Sequence, residues 1–226
     1  MLALRLIRLF VGLFLYGASE ALLIGSGLGN IPWDVLNQGV AERLGTSVGA
    51  IVIAGGVVVL AAWIPLRQRP GFGTVANVAL VGLALDLVLR LLPSDPGPAV
   101  ASVMTLGGIV LNAIATVLYI GAGLGPGPRD GLMTGLVART GWSIRVVRTS
   151  LEVTVVVAGF LLGGTLGVAT LLYAVAVGPL IQLIGGRCGG WHGQPRPVET
   201  STGTPTAMPA EASGEIPGWE AVPRRH

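Results

Sequence analysis

The stretch GSGLGNIPWDVLNQGVAERLGTS at 25–47 recurs without a gap as GAGLGPGPRDGLMTGLVARTGWS at 121–143, an offset of 96 residues. Identical positions are Gly25/Gly121, Gly27/Gly123, Leu28/Leu124, Gly29/Gly125, Pro32/Pro128, Asp34/Asp130, Leu36/Leu132, Gly39/Gly135, Arg43/Arg139, Gly45/Gly141 and Ser47/Ser143. Chance would give roughly two or three in so Gly- and Leu-rich a chain. The same offset aligns Gly71 with Gly167, Thr74 with Thr170 and Gly82 with Gly178. The chain is therefore read as two related halves, and any fold must accommodate the same unit twice.

What each half contains follows from hydropathy. Of the 226 residues, 52% are hydrophobic and 11% charged, with a mean hydropathy of +0.76. Soluble domains carry about 25% charged residues. Six apolar segments can be read, roughly 6–24, 47–66, 72–92, 100–120, 146–166 and 167–186. Each is close to the ~20 residues needed to cross the hydrocarbon core. The first, with Arg5 and Arg8 ahead of LFVGLFLYGASEA, has the look of a signal peptide. Its counterpart in the repeat is an interior segment, so it too is read as a span. The last two are joined only by GGTLG and are predicted to form a tight helical hairpin.

Three spans per half is an odd number, so the second half must be inserted upside down. Inverted repeats of this kind are a hallmark of secondary transporters and some channels. Counting the motif segment 32–44 as a fourth span would give parallel repeats instead, but it is too short and too polar to cross. The expected fold is all-α. It is a polytopic membrane protein of about six transmembrane helices in two inverted repeats, about 5–93 and 100–187, each with a short broken or re-entrant helix. Residues 188–226 are rich in Pro, Gly, Ser, Thr and Glu and read as a disordered cytoplasmic tail.

Orientation is read from the arginines, since the chain has no Lys. Residues 1–187 carry a net +4 and the tail −1. With the N-terminus inside, Arg5, Arg8, Arg67, Arg69, Arg129, Arg139, Arg145, Arg148 and Arg187 fall on or near the cytoplasmic side, and only Arg43 and Arg90 fall outside. This is the positive-inside asymmetry. It puts both termini in the cytoplasm and Trp63, Trp142 and Trp191 at the inner interface.

Several classes of chemistry find no residues. Cys188 is the single cysteine, so no intrachain disulfide framework exists. Cys188 and His192 alone make a poor zinc site. No Ser/His/Asp set or phosphate-binding Gly-Lys loop is present, and the GxGLG runs lack the β-strand of a dinucleotide fold. No enzyme activity, metal or cofactor is expected. No basic face with interleaved aromatics suggests nucleic acid.

The duplicated motif is where function is sought. Pro32 and Pro128 suit the first position of a helix. Asp34 and Asp130 then fall beside free N–H groups and the positive end of the helix dipole. One reading is a broken helix lining a pathway, and the other is an Asp that caps a short interfacial helix. The stripe Trp33, Leu36, Val40 and Leu44, opposite Asp34, Asn37, Gln38 and Glu42, fits the second. Ionisable groups within spans are the other lead, because a charge in lipid is costly. Arg145, Arg148 and Glu152 share one face of the fifth span, and Arg148 can pair with Glu152 at i, i+4. Such a pair either locks a helix to its neighbour or lines a route. Glu20 and Asp86 are read as reaching the outer interface, and Asn77 as interhelical glue or a pathway residue.

At these residues the sequence resembles the YczE-like branch of the YczE/YitT family of bacterial integral membrane proteins. Gly29, Pro32, Trp33 and Asp34 match a Gly-x-x-Pro-Trp-Asp motif. Gly73, Thr74, Asn77, Gly82 and Asp86 are similar to a second stretch. Pro128, Arg129 and Asp130, then Arg148 and Glu152, and finally Gly178 and Pro179, follow the second half. GVAT at 167–170 departs from the pattern's Gly-Thr. The resemblance covers about residues 5–186 and implies a multi-pass protein of the bacterial plasma membrane, without supplying a function. The expected function is a transporter or channel-like protein for an ion or small polar solute. Its pathway would be lined by Pro32, Asp34, Asn77, Asp86, Pro128, Arg129, Asp130, Arg148 and Glu152. A membrane factor that binds or stabilises a partner, and a substrate-capture subunit, remain alternatives. The lipid bilayer, a solute or ion, and a second copy or membrane partner protein are the partners envisaged.

Overall fold

The computed structural model describes residues 2–187. Within them every regular element is an α-helix: α1 Leu2–Ser26, α2 Pro32–Leu44, α3 Val48–Leu66, α4 Phe72–Leu89, α5 Pro98–Gly121, α6 Pro128–Thr140, α7 Ile144–Leu162 and α8 Val168–Arg187. The chain is a membrane protein, and five of these helices are long and apolar enough to cross a bilayer: Leu2–Ser26, Val48–Leu66, Phe72–Leu89, Pro98–Gly121 and Val168–Gly186. α7 has 19 residues but carries Arg145, Arg148 and Glu152. Large apolar side chains such as Phe14, Val58, Leu83, Val103, Leu161 and Val175 cover the outside, as a lipid-facing surface requires.

Local chemistry sets the same boundaries twice. Pro32 and Pro128 open the two short helices, and Gly45 and Gly141 close them in the left-handed region. The Ser47 and Ser143 hydroxyls accept the Ala50 and Val146 amides and so cap α3 and α7. A shift of 96 carries α2 onto α6 and α3 onto α7 end for end.

The centre is the α1–α5 pair. Arg5 donates to the Ala122 and Gly123 carbonyls, both at 2.7 Å. Gly12 lies against Tyr119, Asn112 donates to Ser19 at 2.9 Å, and Gly25 meets Met104. Residue numbers rise along α1 as they fall along α5, so these equivalent helices run antiparallel. Contacts elsewhere are reciprocal. The Gly73 amide donates to the Leu124 carbonyl at 2.8 Å, and the Ala169 amide donates to the Leu28 carbonyl at 3.0 Å. Ala169, where the sequence departs from Gly-Thr, thus contributes through its backbone. Gly125 (φ +131°) presses on Thr74 and Gly71, and Gly29 (φ +124°) on Thr170 and Gly167. Those dihedrals favour glycine and bring backbone against backbone. α2 packs on α7 through Gly39 and Gly159, and α6 packs on α3 with Gly131 under the Trp63 ring.

Three expectations need correction. α7 and α8 do not pair as a hairpin: α7 lies on α2 and α6, and α8 on α5, whereas α3 and α4 pack together closely. The reason is compositional. α3 presents Gly49, Val52 and Gly56 towards α4, and α7 carries Arg145, Arg148 and Glu152 at the equivalent places. Trp63 does not present its ring to lipid or water: it is 2% exposed, its indole donating to the Pro128 carbonyl at 3.0 Å. In α2 the start of the polar face turns inward: Asp34 and Asn37 are buried and Gln38 half-buried, with Glu42 exposed, while Trp33, Leu36 and Val40 are half-buried. An interfacial helix would do the reverse. Cys188, Trp191, His192 and the tail lie outside the described residues.

The α1–α5 contact is testable at its closest point. An added Cβ at Gly12 would sit 2.7 Å from the Tyr119 amide nitrogen, and one at Gly107 meets nothing within 4 Å. Gly12→Ala should therefore destabilise by about 1–3 kcal/mol. Gly107→Ala should be neutral or slightly stabilising. Thermal unfolding of the detergent-solubilised protein compares the two.

Candidate functional site

The two short helices have 13 residues each. That is about 20 Å of helix, short of the ~30 Å hydrocarbon core. Their N-terminal residues approach one another across the two halves. Arg129, second in α6, stacks its guanidinium over the Trp33 ring, second in α2, 5.2 Å from the centroid. It also reaches Asp34 Oδ1 at 3.4 Å and, on α1, Glu20 Oε1 at 3.7 Å.

This cluster borders a cavity of about 240 Å³ between α1, α3 and α4 and the starts of α2 and α6. Tyr16, Glu20, Trp33, Asn77, Arg129 and Asp130 are on its wall. Val52, Gly55 and Gly56 make the α3 side. Tyr16 and Tyr119 pack edge to face at 5.7 Å and close one end.

Burial and charge are out of balance here. Glu20 and Asp34 are both 0% exposed and share one guanidinium. Asn37 Nδ2 donates to Asp34 Oδ1 at 3.1 Å. Both Glu20 oxygens and Asp34 Oδ2 accept no hydrogen bond. At 3.7 Å, Arg129 meets Glu20 as a charge rather than as a donor. Buried polar atoms are normally satisfied, so such a group calls for explanation.

The sequence-derived candidates divide into two sets. Asp34, Asn77, Pro128, Arg129 and Asp130 are brought together, with Asn77, Pro128, Arg129 and Asp130 on the cavity wall. Asp34 does not cap its own helix. Its Oδ1 is taken by Asn37 and Arg129, and Ile31 at the N-cap has no side-chain cap. Asp130 lies against Gly127 and receives the Tyr119 hydroxyl at 3.5 Å. Pro32 is buried at the start of α2, behind the wall. Asp86 is elsewhere: it accepts Ser47 Oγ at 2.6 Å and the Gly49 amide at 2.8 Å, tying α4 to the start of α3. Arg148 and Glu152 pair with each other at 2.9 Å, with side chains 61% and 37% exposed, and do not line this cavity.

Glu20 was expected at the outer interface and is instead fully buried at the cluster. The repeat gave no warning, since its counterpart is Thr116. The available signal was the cost of a carboxylate inside an apolar segment. Tyr16 was likewise legible only as an apolar position on its helix, and Trp33 as a member of the Pro-Trp-Asp motif and of the apolar stripe.

Removing the guanidinium leaves two buried carboxylates facing one another. Arg129→Ala should cost about 3–5 kcal/mol and lower the folded yield. Adding Glu20→Gln to that variant should recover part of the loss, which a double-mutant cycle on thermal stability reads directly.

Comparison with known proteins gives relatives of similar length. The chain is 38% identical over 174 residues to an uncharacterized protein of Haemophilus influenzae, covering 77% of this chain and 80% of the relative. It is 32% identical over 183 residues to the uncharacterized membrane protein YczE of Bacillus subtilis, covering 80% and 85%. The uncharacterized protein YyaS of Bacillus subtilis is 24% identical, covering 76% and 88%. No solved structure matches. The model of a family of unknown function, DUF6198, matches residues 3–185. This chain belongs to that family and is a YczE-like membrane protein.

Proposed function

We propose that the protein is a transporter or channel-like protein for an ion or small polar solute. The observation that carries this reading is the charged cluster of Glu20, Asp34 and Arg129, of which Glu20 and Arg129 stand on the wall of a cavity. Desolvated charges in a membrane protein are expensive, and they typically mark a route or a binding site. In this reading α1, α3, α4, α5, α7 and α8 are six spans, and α2 and α6 enter without crossing. The antiparallel α1–α5 pair and the reciprocal contacts at an offset of 96 support inverted three-span halves. The cluster then lies where the interrupted segments of such halves meet, near the midplane.

The arginine distribution favours cytoplasmic termini in a bacterial plasma membrane. α7 supplies the approach to the cavity. Its face bearing Arg145, Arg148 and Glu152 stands off α8 and is exposed. Arg148 and Glu152 would thus line the way in rather than the cavity itself. Asp86 and Pro32 serve the helix ends that hold the cavity open.

Accessibility tests this reading. On a Cys188→Ala background, Asn77→Cys and Gly55→Cys place thiols on the cavity wall, and Val57→Cys and Leu83→Cys place them on the apolar exterior. A small, charged, membrane-impermeant thiol reagent should modify the first two in intact cells and spare the others. Cavity thiols that stay unreactive from both sides would leave no aqueous route and end the proposal.

A further inference from the structure

The geometry points to a small organic cation of the ammonium or guanidinium type as the ligand of the Glu20–Asp34–Arg129 cavity; this rests on the transport reading for its consequence, though not for its binding site. Three observations converge on it. The first is charge. Two fully buried carboxyl groups share one guanidinium, so with both ionised the cluster lacks one positive charge. Asp130 adds to the negative side of the same wall. An anion would deepen that imbalance, despite the two helix N-termini nearby.

The second is hydrogen bonding. Glu20 Oε1, Glu20 Oε2 and Asp34 Oδ2 are buried acceptors without a donor. The two carboxyls lie close enough to interact directly, so one donor-rich group can serve both. An ammonium brings three N–H donors and no acceptor, and a guanidinium brings more. A proton shared between the two carboxyls would satisfy one oxygen of each and leave one Glu20 oxygen without a donor, and no group of three or more metal-ligating side chains is present among the described residues.

The third is the aromatic wall. Tyr16, Trp33 and Tyr119 border the cavity, and Arg129 already lies over the Trp33 ring. Indole faces attract cations, and aromatic walls beside carboxylates recognise organic ones. Arg129 thereby shows in place how a guanidinium is held here. An incoming cation would take the unpartnered Glu20 oxygens on the wall beside it. The volume of about 240 Å³ suits a solute of a few heavy atoms.

The test uses the full chain in lipid nanodiscs with methylammonium and guanidinium as probes, and sodium and acetate as controls, read by calorimetry. Saturable binding of methylammonium or guanidinium is expected, with sodium and acetate silent. Glu20→Gln should weaken it at least about tenfold. Trp33→Leu, which leaves both carboxylates and Arg129 in place, should weaken it about threefold or more. Absence of binding by both cations overturns the inference, as does acetate binding that is lost in Arg129→Ala. Equal binding by Glu20→Gln, Trp33→Leu and the unaltered chain also overturns it. Proteoliposome uptake of radiolabelled methylammonium separates the two proposals. Binding without uptake supports the site and removes this cation from the transport reading. Failed binding alongside reactive cavity thiols removes the cation and leaves the aqueous route standing.

Discussion

The contact on which the rest depends is Arg129 with Glu20 and Asp34. It is the point where residues from α1, α2 and α6 converge, and it crosses between the two halves of the sequence. In water an ion pair of this kind would add little. In an apolar surround, one guanidinium between two carboxylates decides whether they can be buried at all. α1 supplies one acid from the last third of its length, α2 supplies the other from its first turn, and α6 brings the cation to both. Each helix must therefore be placed to within a side chain's reach of the others.

The glycines and prolines make that placement available. Pro32 and Pro128 start helices where the chain has just turned, and Gly29 and Gly125 take backbone angles that let those turns press on α8 and α4. Two short helices then present their first turns to the interior rather than to lipid. Their free N–H ends would favour anions by themselves. The acids at Asp34 and Asp130 reverse that preference, so the local field is set by side chains rather than by the helix dipole.

Much of this architecture is legible in the sequence because it is periodic. Apolar runs of about 20 residues announce helices, and the offset of 96 carries the short-helix boundaries from one half to the other. Pro32/Pro128 and Gly45/Gly141 mark where those helices begin and end. The site is less legible, because it breaks the symmetry. Glu20 corresponds to Thr116, Trp33 to Arg129, and Gly56 to Glu152. A repeat identifies what the halves share, whereas a charged cluster between them is made from what they do not. Trp63 illustrates the same limit. An indole near the end of a span reads as an interfacial anchor, and only the arrival of Gly131 beneath its ring turns it into a buried strut.

The same divergence separates the two halves physically. In the first, small residues of α3 let it close on α4: Gly49 meets Gly82 backbone to backbone, and Gly56 meets Val78. In the second, Arg145, Arg148 and Glu152 occupy the matching positions on α7, and α8 stays apart. Long charged side chains cannot be buried against an apolar helix without partners, so α7 and α8 cannot copy the α3–α4 contact. These halves seal one side and leave the other lined with charge. The acidic cavity sits behind the sealed side, and the cation that bridges it comes from the open half.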